Sequence, residues 1–409
     1  MNILLINHYA GSLQYGMEYR PYYLAREWVK MGNRVTIVAA SFSHLRSKQP
    51  IVNGNISEEL IDDIQYIWIK TSSYKGNSIR RVQNMLTFVG KLTALSRKLS
   101  KKFKPDVVIT SSTYPLDIYP SYLIARFAKA KLIFEVHDLW PLTPIELGKM
   151  PKWHPFIIMM QIAEDFAYKR ADRVISILPK ALDYMVSRGL VPEKFLHIPN
   201  GIDIDEWQSF NALLPLQHQE PIERLKQEGK YIVCYAGSHG VGNALDYFVE
   251  SAVYLKDLPV ALVLVGQGPE KEKLQKYATE NNLNNVIFLP PVPKNFIPNL
   301  LSKMDILYIG LRRSPLFRFG VSPNKLFDYM MSGKPIIHAI EAVNDLVRES
   351  GCGISIPPGD SYAVAEAIKK LMSMSSSERE GIGRRGKEYV IDNHDYKILA
   401  KRFLEAIND

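Results

Sequence analysis

Short apolar runs alternate with stretches of helical spacing along the whole chain. Residues 3–6 (ILLI) predict a buried strand that enters a loop over 7–16. Tyr22, Leu24, Ala25, Trp28 and Val29 then recur with the period of an amphipathic helix over about 18–31; Gly32 ends it, and 34–39 (RVTIVA) predicts a second strand. Strand, helix, strand implies a parallel pair, since parallel neighbours need a crossover between them. The rhythm continues with strands at 106–110 (DVVIT), 131–136 (KLIFEV) and 173–177 (RVISI), and with helices at about 82–103, 118–129 and 156–170.

A turn at 197–201 (HIPNG) closes this half. Residues 207–229 are polar, carry scattered prolines and show little periodicity, so they read as a linker. Strands resume at 231–236 (YIVCYA), 260–265 (VALVLV), 286–289, 306–309 and 335–338, with helices at 244–256 and 270–282. The pattern predicts an α/β protein with a first Rossmann-like domain over 1–205, a linker over 206–229 and a second Rossmann-like domain over 230–376. The charged, helical tail at 377–409 is a candidate to cross back to the first domain.

Composition bounds the class. The 409 residues suit two or three domains, and 46% apolar with 23% charged residues is an ordinary globular balance. Cys234 and Cys352 cannot build a disulfide framework, so both are expected as small buried hydrophobes in a reducing compartment. The opening MNILLIN lacks the basic stretch of a signal peptide, and no run approaches the ~20 apolar residues that span a bilayer. A cytoplasmic chain is expected, soluble or lying on a membrane.

The net charge of +9 is uneven: residues 1–200 carry 27 Lys+Arg against 16 Asp+Glu, the remainder 24 against 26. A basic half favours an anionic surface, whether membrane, nucleic acid or phosphorylated substrate. Residues 75–104 carry nine of the basic residues and no acidic one, with Met85, Phe88, Val89, Leu92, Leu95, Leu99 and Phe103 at helical spacing. That is either a helix for an anionic membrane or an ordinary helix whose apolar stripe lies in the core. Residues 149–160 (KMPKWHPFIIMM) add a compact apolar run. No aromatic strand motif of an RNA-binding module is present.

Three segments carry candidate chemistry. Residues 237–243 (GSHGVGN) follow a strand and open a helix, where glycines admit close approach and free N–H groups favour phosphate; the plain alternative is a tight turn. Residues 265–270 (VGQGPE) stand at a second strand end with the same two readings. In 319–337 (FGVSPNKLFDYMMSGKPII) a loop meets a helix near Pro323, which Ser322 can cap. There Lys325 and Asp328 share a face. A nucleotide sugar would use the cation on its diphosphate and the carboxylate on its ribose, whereas a simple ion pair is worth only ~0.3 kcal/mol. His8 and His137 are placed to orient an acceptor hydroxyl or take its proton, with Glu135, Asp138 and Glu146 as alternative bases. Asp203-Ile204-Asp205 is a D-x-D triplet in a turn context, and no metal is expected, because convergent carboxylates are lacking.

The 319–337 segment resembles the C-terminal signature of glycosyltransferase family 4, whose fold is GT-B, and within it the bacterial O-antigen and capsule enzymes, the N-acetyl-L-fucosamine transferases above all. Other segments agree in order: Gly16-Met17-Glu18 with Leu24-Ala25 and 32–36 (GNRVT), 134–138 (FEVHD), 171–175 (ADRVI) and 198–203 (IPNGID) are each similar to a family block. The likeness covers nearly the whole chain. It implies two Rossmann-like βαβ domains facing a central cleft. It implies a retaining, metal-independent glycosyltransferase that needs no cofactor beyond its UDP-sugar donor. The sugar would be an N-acetylated hexosamine or 6-deoxyhexosamine such as N-acetyl-L-fucosamine, passed to an undecaprenyl-diphosphate-linked saccharide in O-antigen or capsule polysaccharide synthesis. The enzyme would sit peripherally on the inner face of the cytoplasmic membrane and use no nucleic acid.

By the same resemblance, Asp328 binds ribose and Lys325 reaches the diphosphate. Gly237, Ser238, His239, Gly240 and Asn243, with Gly266 and Gly268, form the phosphate and sugar loop, and Gly320, Val321, Ser322, Asn324 and Leu326 complete the donor side. His137 matches the family's active-site histidine; His8, Gly11, Gly16, Met17, Glu18, Arg20, Asp138, Trp140 and Glu146 fall on the acceptor side. The chain departs from the pattern where Gly320 replaces the first motif Glu and where Ser238 and His239 replace the usual Arg and Lys. Arg318 and Lys325 remain as diphosphate cations. Two competitors share the architecture: a UDP-sugar 2-epimerase, which would need acid/base carboxylates, and a non-catalytic sugar-nucleotide-binding protein. A dehydrogenase is disfavoured because the first βα turn lacks G-x-G-x-x-G.

Overall fold

The computed structural model describes residues 1–76, 78–210 and 212–408. The chain divides into two compact units: Met1–Asn200 with the helix Tyr396–Asn408, and Gly201–Asp395.

The first unit is built on one sheet of β1 (Asn2–Ile6), β2 (Arg34–Ala40), β3 (Ile56–Ile61), β4 (Ile64–Ile69), β5 (Val107–Thr110), β6 (Lys131–Val136), β7 (Arg173–Ser176) and β8 (Phe195–His197), ordered β3-β4-β2-β1-β5-β6-β7-β8. Every pairing is parallel except the β3–β4 hairpin. The central strands read as unbroken apolar runs because helices cover both faces. The hairpin is absent from the sequence expectation for a physical reason. β3 (ISEELI) is an edge strand with a wet face, and its two-residue turn, Asp62-Asp63 with φ 48° and 61°, lacks the glycine that usually marks such turns.

The helix Ile79–Phe103 buries Met85, Phe88, Leu92 and Leu99, so much of its apolar stripe belongs to the core. The helix Arg20–Lys30 buries Tyr22, Leu24, Ala25 and Trp28, and Trp28 Nε1 donates to the Ala400 carbonyl at 3.0 Å on the final helix. The charged tail is therefore split at Asp395, its helix Ser376–His394 belonging to the second unit and Tyr396–Asn408 to the first.

The second unit carries β9 (Tyr231–Ala236), β10 (Val260–Val265), β11 (Val286–Leu289), β12 (Ile306–Gly310), β13 (Ile336–Ala339) and β14 (Gly353–Ser355), all parallel, ordered β11-β10-β9-β12-β13-β14. This is the doubly wound order, which reverses between β9 and β12. The expected linker at 206–229 is corrected here. It holds the helices Ile204–Ser209 and Leu216–Gln227, and Trp207, Ile222 and Leu225 enter the second unit's core. Its prolines misled: Pro215 precedes a helix and Pro221 sits within one. The Asp203 carboxylate caps the first of these helices, accepting from the Glu206 N–H at 2.7 Å, which accounts for half of the D-x-D triplet. Cys234 and Cys352 are both buried and unpaired. Among the described residues no helix is long and apolar enough to cross a membrane.

Candidate active site

Open α/β sheets bind ligands beyond the carboxyl ends of their strands, where the strand order reverses. In the second unit that point lies between β9 and β12, and the glycine loop 237–243 leaves β9 directly above it. The loop after β10 presses on it from the side. Gly266 has φ 153°, and a Cβ there would stand 1.9 Å from the Gly237 carbonyl oxygen. At Gly268 the His239 backbone lies almost as close, and the His239 N–H donates to the Gln267 carbonyl at 2.9 Å. The two glycine motifs thus form one structure.

Lys325, on the helix Asn324–Met331, completes it. Its Nζ donates to Tyr235 Oη at 2.6 Å and to Asn243 Oδ1 at 2.9 Å, and lies 4.5 Å from the centre of the Tyr235 ring. Asn243 Nδ2 and Tyr235 Oη both donate to the Ser238 carbonyl, so cation, loop and strand end hold one another. Burial pulls the Lys325 amine down to about 8. Gly240 opens the short turn that carries Asn243. His239 is fully buried, and neither ring nitrogen has a protein partner. Burial, helped by the charges of Lys271 and Lys325, lowers its pKa to about 4, so the ring is neutral at ordinary pH.

Asp328 follows one turn after Lys325 but does not pair with it. Its neighbours are Lys294 and Glu206, themselves joined at 3.4 Å. Burial raises the Asp328 carboxyl to about 6; Lys294 opposes the rise and Glu206 adds to it. The loop before this helix turns at Gly320, whose φ of 105° suits only glycine, and Asn344 clamps Val321 through both its N–H and its carbonyl at 2.9 Å. Ser322 and Asn324 border the helix start, Asn324 exposed. Two expectations need correction. Leu326 points into the core at 2% exposure, because it lies on the helix face opposite the loops. Arg318 curls over its own loop, donating to the Pro315 carbonyl at 2.5 Å and stacking on Phe319 at 4.3 Å.

In the first unit the order reverses between β1 and β5. Asn7 Nδ2 bridges that crevice to the Ser111 carbonyl at 2.6 Å. His137, just past β6, has Nε2 2.9 Å from Ser111 Oγ and 3.1 Å from Glu135 Oε2, and its side chain is 13% exposed. Arg20 is buried and pairs with Glu135 rather than standing free for an acceptor. His8 is fully buried with Nδ1 2.7 Å from Tyr114 Oη; burial and then Arg46 hold it well below the usual histidine range, so it is a neutral core side chain. Asp138 commits both oxygens to its own loop, accepting from the Leu139 N–H, Thr143 Oγ1 and Trp140 Nε1, so it braces the turn. Gly11, Gly16, Met17 and Glu18 form the loop after β1, with the Gly11 N–H donating to the Glu18 carbonyl at 2.9 Å and Met17 exposed. Glu146 ends the short helix Leu142–Glu146.

Sequence reasoning missed Tyr235, Asn344, Lys271 and Ser111. Lys271, whose Nζ donates to the Gly266 carbonyl at 2.9 Å, was legible as the first cation after a glycine loop. The others carry no signal until strand order is known. Among the described residues no group of three His, Cys, Asp or Glu side chains is arranged to hold a metal ion.

Comparisons with known proteins bear on both units. Residues 15–206 match the model for Glycosyltransferase Family 4, and residues 230–374 match that for Glycosyl transferases group 1. The probable glycosyltransferase WbjE of Pseudomonas aeruginosa is 23% identical, with 81% of this chain and 82% of that protein covered. The putative colanic acid biosynthesis glycosyl transferase WcaI of Escherichia coli K12 is 22% identical over 75% of each. Among solved structures, Anabaena Alr3699/HepE in complex with UDP and glucose superposes with a TM-score of 0.69 at 16% identity over 100% of both chains. A glycosyltransferase from Rickettsia africae reaches 0.71 at 15% identity over 99% and 97%. These likenesses establish the GT-B fold. Matched in both of its units by glycosyltransferase models, the chain belongs to glycosyltransferase family 4.

Proposed function

We propose that this glycosyltransferase moves a sugar from a UDP-sugar, with retention and without a metal, onto a lipid-linked saccharide during surface polysaccharide synthesis. The observation that carries the donor reading is Lys325, held by Tyr235 and Asn243 against the glycine loops at the strand-order reversal. A partly buried cation there stabilises the leaving diphosphate as charge develops, the work a metal does elsewhere. Asp328 is the ribose acceptor. His137 meets the acceptor hydroxyl. The HepE structure holds UDP and glucose, and WcaI is named for colanic acid biosynthesis; both support the reading. N-acetylated hexosamines and 6-deoxyhexosamines such as N-acetyl-L-fucosamine are the first donors to try, with an undecaprenyl-diphosphate-linked saccharide as acceptor.

The enzyme works peripherally on the cytoplasmic face of an anionic membrane. The helix Pro155–Arg170 supports this more than the basic helix 79–103 does, since that helix spends its stripe on the core. Trp153, Ile158 and Ile162 are 75%, 47% and 57% exposed, beside Tyr119 and Met159, and Lys149 and Lys152 flank them. A panel of UDP-GlcNAc, UDP-GalNAc, UDP-N-acetyl-L-fucosamine, UDP-glucose and GDP-mannose, each with and without membrane lipid extract, tests the proposal through nucleotide release. Release from one UDP-sugar only when lipid is present is the expected result. Release from GDP-mannose alone would contradict it.

A further inference from the structure

The first unit contains a buried ion pair that touches no solvent. Glu135 lies within β6 at 0% side-chain exposure and Arg20 at 1%, 3.0 Å apart. Arg20 also donates from Nη1 to the Pro199 carbonyl at 2.5 Å and from Nη2 to the Ile198 carbonyl at 3.0 Å. The far oxygen of Glu135 accepts from Ser111 Oγ at 2.5 Å and faces His137 Nε2 at 3.1 Å. Because the Ser111 hydrogen is spent on Glu135, Ser111 Oγ can only accept from His137, 2.9 Å away. The ring must then carry its hydrogen on Nε2. His137 Nδ1 has no partner among the described residues.

We propose that Glu135 and Arg20 are positioning residues: together they fix the tautomer and orientation of His137, leaving Nδ1 as the nitrogen that receives the acceptor hydroxyl. This rests on the reading of His137 as the acceptor-side group. Burial drives the Glu135 carboxyl upward, but Arg20, His137 and Ser111 outweigh it and hold it at about 2. Glu135 is thus ionised at ordinary pH, and with both oxygens engaged at 0% exposure the alternative of Glu135 as the base falls away. A buried pair adds little net stability over apolar packing, so its arrangement around a histidine points to orientation.

Nitrogen-15 spectra of histidine-labelled protein, with His137 assigned from His137→Ala and recorded at about pH 9 where imidazole is neutral, read the tautomer directly. The expected result is a protonated Nε2 and a bare Nδ1. A protonated Nδ1 in the unaltered protein overturns the proposal without any variant having to fold. In Glu135→Gln the amide oxygen turns to Arg20 and its NH2 to His137, so the tautomer inverts. Turnover then falls about 10–100-fold, while the donor KM and UDP affinity stay unchanged, and Glu135→Asp recovers part of the loss. Arg20→Lys lowers turnover in the same manner should the Gln variant misfold. A Glu135→Gln enzyme that keeps the tautomer, or turns over within about twofold of normal, overturns the proposal. Full turnover in His137→Ala would instead remove the reading beneath it, with the tautomer results standing.

Discussion

Lys325 and Asp328 lie on one helical turn yet answer to different neighbours, and their environments set their charges in opposite ways. Burial brings Lys325 down to about 8 and Asp328 up to about 6. On the proposed donor reading, the ionised Asp328 that would accept ribose hydroxyls exists above the lower value, and the Lys325 cation that would meet the diphosphate exists below the upper one. UDP-GlcNAc affinity, followed by calorimetry from about pH 5 to 9.5, is therefore expected to rise through 6, plateau, and fall beyond 8. Asp328→Asn removes the acid limb, and Lys325→Arg, which stays charged, removes the alkaline one. Limbs that survive both changes would assign them to other groups. Lys325→Ala loses a charge-assisted contact and is expected to weaken binding about 10–100-fold at neutral pH, consistent with ~1.5–3 kcal/mol for such bonds.

At the scale of elements, the loops after β9 and β10 touch so closely that Gly266 and Gly268 have no room to vary. Gly266→Ala places a methyl 1.9 Å from the Gly237 carbonyl and forces the loops apart. The cost is expected at about 1–3 kcal/mol, with UDP binding lost more completely than fold, as calorimetry beside a thermal melt would show. The same closeness explains what the sequence could and could not tell. Strands such as VALVLV and YIVCYA announce themselves because burial on both faces leaves only apolar residues. The stretch 206–229 did not, because Trp207, Ile222 and Leu225 are too sparse to show a period among prolines and charges. Lys325 and Asp328 were legible from their motif. Ser111 and Asn344 were not, since their roles come from partners 26 and 23 residues away that only the sheet order brings near. His8 looked like His137 in sequence; the aromatic rings of Tyr9, Phe88 and Tyr114 around it make it a core side chain instead.

The whole molecule is electrically lopsided, with a basic first half and a near-neutral second half. The exposed Trp153, Ile158 and Ile162 all lie on the basic half, where an anionic bilayer would be attracted and an apolar wedge could enter it. Flotation with phosphatidylglycerol vesicles is expected to carry the protein upward. Binding should fall when Trp153 and Ile158 become serine, and also when Lys98, Lys101 and Lys102 become glutamate. Binding unchanged by both sets would dismiss this surface. The proposed passage of a sugar from UDP to a lipid-borne acceptor can be measured directly. Labelled UDP-sugars are incubated with membrane lipid extract and the purified protein, and the organic phase is counted. Label from one UDP-sugar is expected to enter the organic phase, and Asp328→Ala is expected to abolish this. Label that stays water-soluble as an isomerised nucleotide sugar would contradict it and identify an epimerase.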